Sequence, residues 1–179
     1  MSDELICDHA SVGVIARDEQ GRILMIQRRK YPFGFAPPAG HLDGLTYPLA
    51  CHKEFEEETG LKVVGAPKPL IPKNPKKGLP FGGCRRGGEY HHWQIFEVQW
   101  AGELKLNKSE TKFLGWMKVE EIKKLAERTK EYLSRWHMAR KAEEASWTSA
   151  IRESLDKGWE KSPGLEVVWY EFFQELGII

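Results

Sequence analysis

The segment between Thr46 and Gly60 constrains the fold most, because it carries four glutamates between a helix-start signal and a helix-end signal. The Thr46 hydroxyl can accept a hydrogen bond from an unpaired amide at a helix N-terminus. Pro48 falls in the first turn, where its missing N–H costs little. Gly60 suits the left-handed residue that follows many helices. We therefore predict a helix from Tyr47 to Thr59.

Three of these glutamates share one face of the predicted helix. Glu54, Glu57 and Glu58 stand at positions i, i+3 and i+4, which brings their carboxylates within about one turn of each other. Like charges so close repel, and Lys53 is expected to point elsewhere. A hard divalent cation such as Mg²⁺ or Mn²⁺ prefers carboxylate and water oxygens and would neutralise them. From these residues alone, the alternative is a solvated acidic helix face.

The residues on both sides of the glutamates help to decide between a cation site and a solvated acidic face. Residues 53–61 read Lys-Glu-Phe-Glu-Glu-Glu-Thr-Gly-Leu, and residues 38–41 read Pro-Ala-Gly-His. Together they resemble the Nudix box, the signature of the Nudix hydrolase (MutT-like) family. The sequence departs from that pattern at Lys53, where the family has arginine. It also has one residue fewer between Gly40 and Lys53, which places Leu45 at the family's first glutamate position.

The resemblance implies an α/β fold, a Nudix-type α/β/α sandwich with a mixed sheet, here followed by a C-terminal helical extension. It also implies a metal-dependent hydrolase that cleaves the diphosphate linkage of a nucleoside triphosphate or a nucleoside diphosphate-X compound. The alternative is a degenerate Nudix module that binds a nucleotide or a protein partner without hydrolysis. The shortened loop, Leu45 and Lys53 favour that alternative, whereas the intact glutamate trio favours the enzyme.

Site roles follow from the positions that match the family. The metal ligands for Mg²⁺ or Mn²⁺ are expected to be the side chains of Glu54, Glu57 and Glu58 and the carbonyl of Ala39. The residue that orients or deprotonates the attacking water is expected to be Glu54 or Glu110, which lies shortly before a tryptophan-containing strand. Lys53 is expected to lie behind the ligands and to orient them less tightly than arginine, because lysine cannot form a bidentate fork.

Gly40 is expected to contact the substrate, and basic residues in two places are expected to bind its phosphates. Arg28 and Arg29 end a predicted strand whose Gln-Arg pair also resembles the opening of Nudix domains. Residues 66–89 are rich in proline and glycine, and every charge before Glu89 is positive, so we predict a long basic loop. Within it, Arg85 and Arg86 are the preferred phosphate contacts. A surface insertion without a substrate role is the alternative.

Apolar patterns predict the strands. Residues 11–16 and 22–27 flank an Asp/Gly turn and suggest a hairpin. Residues 89–100 form the clearest strand pattern, in which His91 and His92 point to opposite faces. They therefore cannot both bind one metal ion from a regular strand, and a structural role is expected for each.

Composition and length set the remaining expectations. With 179 residues, we predict a Nudix domain over residues 1–128 and a helical extension over residues 129–179, packed on the domain or on a partner subunit. The extension should contain a helix that begins at Ser162-Pro163. Its regularly spaced tryptophans suggest core or subunit packing, so a homodimer is a reasonable expectation. The net charge of +1 predicts no polymeric nucleic acid and no membrane as partner.

Cys7, Cys51 and Cys84 are odd in number and widely spaced. This pattern favours reduced thiols in a cytoplasmic protein over a disulfide framework, and it lacks the spacing of a zinc knuckle. Cys84 is expected to be a bystander.

Overall fold

The computed structural model describes residues 6–76, 84, 86–146 and 156–179. These residues contain seven strands and three helices, with a further helical segment over residues 156–161. The strands are β1 (Ala10–Ala16), β2 (Ile23–Arg28), β3 (Phe35–Ala36), β4 (Ala39–His41), β5 (Lys62–Lys76), β6 (His91–Ala101) and β7 (Thr111–Met117). The helices are α1 (Tyr47–Thr59), α2 (Val119–Ser146) and α3 (Val167–Glu175).

The strands form two sheets. The larger has the order β4-β1-β6-β5, and the smaller has the order β3-β2-β7. Strands β1 and β6 run parallel, whereas the other paired neighbours are antiparallel. The predicted α/β class with a mixed sheet is therefore confirmed. Strand β4 carries Ala39 and Gly40 along the edge of the larger sheet.

The predicted hairpin of the first two strands is wrong. A turn does follow β1, where the Asp18 carboxylate accepts backbone hydrogen bonds from Gln20 and Arg22. Only an isolated bridge, Arg17 to Ile23, then joins the two segments before they diverge into different sheets. Strand β1 is paired on both edges, with β4 on one side and β6 on the other, so β2 pairs elsewhere.

The first part of the predicted basic loop, residues 66–76, is strand and not loop, whereas residues 77–83 and 85 lie outside the described residues. Strand β5 continues through the prolines as far as Lys76 and pairs with β6, with register shifts after Val64, Pro69 and Ile71. A proline cannot donate to a strand ladder, but β5 lies at the edge of its sheet, where a missing donor is tolerated. The expected loop start at residue 66 is therefore wrong.

The helix predictions hold best where local signals are strong. Helix α1 has the predicted bounds, and Gly60 ends it with a positive φ of 76°. Thr46 occupies the N-cap, but its side chain makes no capping hydrogen bond, contrary to expectation. Helix α3 begins at Val167 and not after Ser162-Pro163.

Two buried clusters form the core. One lies beneath α1 and includes Cys51, Phe55 and Val14. The other joins the sheets to the C-terminal helix through Trp169 and Phe172, both fully buried. The C-terminal residues thus complete the core of the sheets, while the predicted division after residue 128 stays a prediction. No helix among the described residues is both long and apolar enough to cross a membrane.

Candidate functional site

The candidate site lies where α1 faces strand β4. Cys51, Phe55 and Thr59 are buried and fix one side of α1 against the sheet. Glu58 connects α1 to β4: its Oε2 accepts a hydrogen bond of 2.8 Å from the backbone N–H of Ala39. This contact joins the two halves of the Nudix-like sequence through two residues that are 19 positions apart.

Glu54 approaches the next residue of the same strand. A Cβ atom placed on Gly40 would lie 1.9 Å from Glu54 Oε2, so only glycine leaves room for that carboxylate. Glu54 and Glu58 therefore converge on two consecutive residues of β4. Burial raises the pKa of Glu54, the ammonium of Lys53 opposes that rise, and the charge of Glu57 adds to it.

Lys53 does not point away from the acidic face, and that expectation is wrong. Its Nζ lies 3.0 Å from Glu54 Oε1 and 3.4 Å from Glu57 Oε2. Lys53 Nζ also lies 4.0 Å from Asp43 Oδ2, a long distance for an ion pair. The adjacent lysine reaches the acidic face because its long, flexible side chain can turn back across the helix surface. Lys53 thus offsets part of the repulsion between the carboxylates.

The most strongly perturbed acid of the site is Glu58. Burial raises the pKa of Glu58 to about 8, and the charge of Arg28 and the Ala39 N–H oppose that rise. The charges of Glu54 and Glu110 raise it further. The side chain of Glu110 is itself exposed. A buried carboxyl that resists ionisation is a common feature of metal and catalytic sites.

Arg28 and Arg29 have different environments. Arg28 sits at an irregularity in β2, and its Nε is buried without a hydrogen-bond partner. Its positive charge acts on both Glu58 and Glu166. The side chain of Arg29 is exposed, and its backbone N–H donates to the carbonyl of Glu110 at 2.9 Å.

Two functional candidates escaped the sequence reasoning. Glu166 is buried just before α3; burial raises its pKa and the charge of Arg28 opposes the rise. Asp43 lies between the two halves of the Nudix-like sequence with a φ of 50° and forms a bidentate ion pair with Arg86. The Arg86 guanidinium lowers the pKa of Asp43. An aspartate next to a glycine in the shortened loop was the available signal for Asp43.

The predicted phosphate contacts are therefore only partly assembled. Arg86 pairs with Asp43, and the charge of Arg28 acts on Glu58. Arg85 lies outside the described residues.

The donor set fits a hard divalent cation. The side chains of Glu54 and Glu58 offer carboxylate oxygens on one side of β4, and Glu57 stands exposed on the same face of α1. In an extended strand the N–H and C=O of one residue point toward the same edge. Because the Ala39 N–H points at Glu58, its carbonyl is directed to the same side, away from β1.

Comparison with known proteins agrees with this geometry. A family model described as the NUDIX domain matches residues 8–137. The fold is similar to that of a MutT NUDIX hydrolase from Burkholderia pseudomallei, with 22% identity and a TM-score of 0.50 over 63% of this chain and 84% of that chain. It is also similar to a MutT protein from Methanosarcina mazei Go1, with 20% identity and a TM-score of 0.50 over 63% and 78% of the two chains.

A NUDIX hydrolase from Nitrosomonas europaea shares 18% identity with a TM-score of 0.50 over 89% of this chain and 93% of that chain. At such identities the likeness establishes the fold, and the predicted Nudix-type architecture is confirmed. No curated protein matches the chain.

Proposed function

Because the chain belongs to the NUDIX family, we propose that it cleaves the diphosphate linkage of a nucleoside triphosphate or a nucleoside diphosphate-X compound with the help of Mg²⁺ or Mn²⁺. The enzyme class expected from the sequence, a Nudix pyrophosphohydrolase, agrees with that family. The observation that carries the proposal is the convergence of the Glu54 and Glu58 carboxylates on Ala39 and Gly40 of β4.

The proposed metal ligands are Glu54, Glu57 and Glu58, with the carbonyl of Ala39. When bound there, a divalent cation would polarise the phosphoryl oxygens and neutralise charge that develops during the displacement. The high pKa of Glu58 supports this assignment, since a buried acidic side chain is most easily kept ionised beside a cation. Lys53 forms ion pairs with Glu54 and Glu57, and a cation bound to these carboxylates would displace part of that contact.

Water activation is assigned to Glu54 or Glu110. Glu54 is mostly buried and lies against Gly40, so it is held in a fixed position relative to β4. Glu110 is exposed at the start of β7 and lies within electrostatic reach of Glu58. Either carboxylate could orient the water and accept its proton. A comparison of Glu54→Gln with Glu110→Gln, each assayed across pH at saturating Mg²⁺, identifies the base as the residue whose loss removes the acidic limb of kcat.

Substrate phosphates are assigned to the basic residues around this face. Arg28 is the best supported, because its charge acts on Glu58 and its buried Nε–H has no protein partner. Arg86 would act from the far side of the site, where Asp43 now holds it. Guanidinium groups suit phosphate oxygens, with which they form paired hydrogen bonds. Arg29, Arg85 and the backbone of Gly40 complete the proposed set.

The second candidate function is nucleotide binding without hydrolysis. The observation that favours it is the ion pairing of Lys53 with Glu54 and Glu57, which occupies two of the proposed metal ligands. Leu45, at the position where the family has another acid, removes an additional ligand.

A substrate panel separates the two functions. Nucleoside triphosphates and nucleoside diphosphate sugars are incubated with the protein and Mg²⁺. Phosphate and pyrophosphate report cleavage of the triphosphates, and the nucleoside monophosphate, separated by chromatography, reports cleavage of the diphosphate sugars. Turnover that disappears with EDTA and in Glu57→Gln supports the hydrolase. A nucleotide that raises the melting temperature of the wild type but is never cleaved, with Mg²⁺ or Mn²⁺, supports the binding module.

A further inference from the structure

A second group of metal-binding side chains lies outside the acidic face. The ligand atoms of Cys7, His41, Cys84 and His91 all lie within 4.8 Å of one another. Cys7 Sγ is 3.2 Å from His91 Nε2 and 3.7 Å from His41 Nε2, and the two Nε2 atoms are 3.1 Å apart. Cys7 and His91 are buried, and the other two are half-buried.

These separations match a tetrahedral ion. With Zn–S bonds of about 2.3 Å and Zn–N bonds of about 2.0–2.1 Å, tetrahedral geometry places sulfur and nitrogen roughly 3.6 Å apart and two nitrogens roughly 3.3 Å apart. The observed distances fall within half an ångström of those values. Two thiolates with two imidazoles are a donor set typical of zinc, whereas the carboxylates of α1 suit Mg²⁺ or Mn²⁺.

The four residues come from four separate parts of the chain. Cys7 precedes β1, His41 ends β4, Cys84 lies in the connection after β5, and His91 begins β6. The Cys84 N–H donates to the Gly88 carbonyl, and the Gly87 N–H donates to the Cys84 carbonyl, so a closed turn presents the Cys84 sulfur. A Cβ atom on Gly88 would lie 2.3 Å from Cys7 Sγ and 3.3 Å from Cys84 Sγ. Glycine at this position therefore leaves room for both sulfurs.

The surroundings also resemble those of a bound thiolate. The backbone N–H of His9 donates to Cys7 Sγ at 3.3 Å, a type of contact that orients metal ligands in known sites.

We propose that Cys7, His41, Cys84 and His91 bind one structural Zn²⁺ ion. The ion ties the segment before β1, the end of β4 and the turn before β6 to one another. His41 directly follows Gly40, so the ion would also fix the strand that faces Glu54 and Glu58. All four positions are filled by protein atoms, as in structural and not catalytic zinc sites. Cys84, expected to be a bystander, becomes a ligand.

The first experiment measures metal content and coordination in the full chain. Protein purified under reducing conditions is loaded with Zn²⁺, separated from free metal and analysed by inductively coupled plasma mass spectrometry. We expect about one zinc per chain. After replacement by Co²⁺, the absorption spectrum should show thiolate-to-cobalt charge transfer and the intense visible bands of tetrahedral cobalt. A cobalt spectrum without thiolate bands overturns the proposal.

Paired variants locate the ion. Cys84→Ser and His91→Gln should lose the zinc and lower the melting temperature measured in Zn²⁺. The matched controls Cys51→Ala and His92→Gln should keep it, because Cys51 lies beneath α1 and His92 points to the other face of β6. Full zinc content in Cys84→Ser and His91→Gln contradicts the proposal. So does a wild-type chain that forms a Cys7–Cys84 disulfide and, once reduced, takes up no Zn²⁺. None of these readouts depends on hydrolytic activity, and the wild-type cobalt spectrum remains decisive if a variant does not fold.

Discussion

The carboxylate of Glu58 accepts a 2.8 Å hydrogen bond from the backbone N–H of Ala39, which joins α1 to β4 at the centre of the candidate site. This bond fixes one carboxylate of the helix relative to the strand. Gly40, the next residue, admits the carboxylate of Glu54. The glutamate helix is therefore directed at a backbone segment and not simply at solvent, as an ordinary acidic surface helix would be.

The first prediction concerns Glu57, the exposed member of the acidic face. Glu57→Gln should lower kcat/KM with Mg²⁺ by ~100-fold or more, because a lost metal ligand removes several kcal/mol of transition-state stabilisation. Steady-state kinetics on the best substrate of the panel provides the measurement. The side chain is 59% exposed, so the melting temperature without metal should barely change.

Glu56→Gln is the matched control for that change. Glu56 is also exposed, one position away, and it pairs with Lys62 outside the site. Its variant should retain wild-type activity. Unaltered turnover in Glu57→Gln would show that this residue is not a metal ligand.

The second prediction concerns the close approach at Gly40. In Gly40→Ala the new methyl group would overlap Glu54 Oε2, so the Glu54 side chain must move away from β4. We expect at least a ~10-fold loss of kcat, since small displacements of catalytic groups slow the chemical step strongly. Gly158→Ala is the control, because nothing lies within 4 Å of the added atom. An active Gly40→Ala with normal metal dependence would argue against a role for the Glu54 position.

The third prediction concerns the pH dependence of stability at Glu166. Burial raises its pKa in the folded chain above the ordinary carboxyl value, so the folded chain binds more protons than the unfolded chain between those two pH values. The free energy of unfolding should therefore fall as the pH rises through that interval. Glu166→Gln removes this dependence and should be more stable than the wild type at neutral pH, but not at acidic pH.

Denaturant titrations of the wild type and the variant across that interval test this expectation, with Glu160→Gln as an exposed control. The difference between the two chains isolates Glu166 from the other titrating groups. A difference in stability that does not change with pH would mean that folding leaves the pKa of Glu166 unchanged, and would contradict the prediction.

The fourth prediction concerns the C-terminal helix as part of the core. Trp169 is fully buried and lies against Gly13 of β1, with its ring also packed near Phe172. Trp169→Ala should destabilise the chain by about 3–5 kcal/mol, as large-to-small changes in cores do. Met138→Ala, at an exposed position of α2, should change the stability little. Urea unfolding measures both, and a wild-type midpoint for Trp169→Ala would show that α3 is dispensable for the fold.

The sequence alone was sufficient for features set by neighbouring residues. The bounds of α1 followed from Pro48 and Gly60, and the shared face of Glu54, Glu57 and Glu58 followed from helical spacing. The spacing of the Nudix-like residues also indicated the family and the fold. These features depend on contacts within about one helical turn, so they can be read from the order of residues.

Contacts between distant residues were decided by the tertiary structure. Strand β5 runs through prolines because it is an edge strand, and β1 leaves β2 because β4 and β6 occupy both of its edges. Cys7 and His91 are 84 residues apart and meet only because β1 and β6 pair in parallel. The spacing of these residues in the sequence does not predict their contact, because the packing of the whole sheet sets the chain path between them.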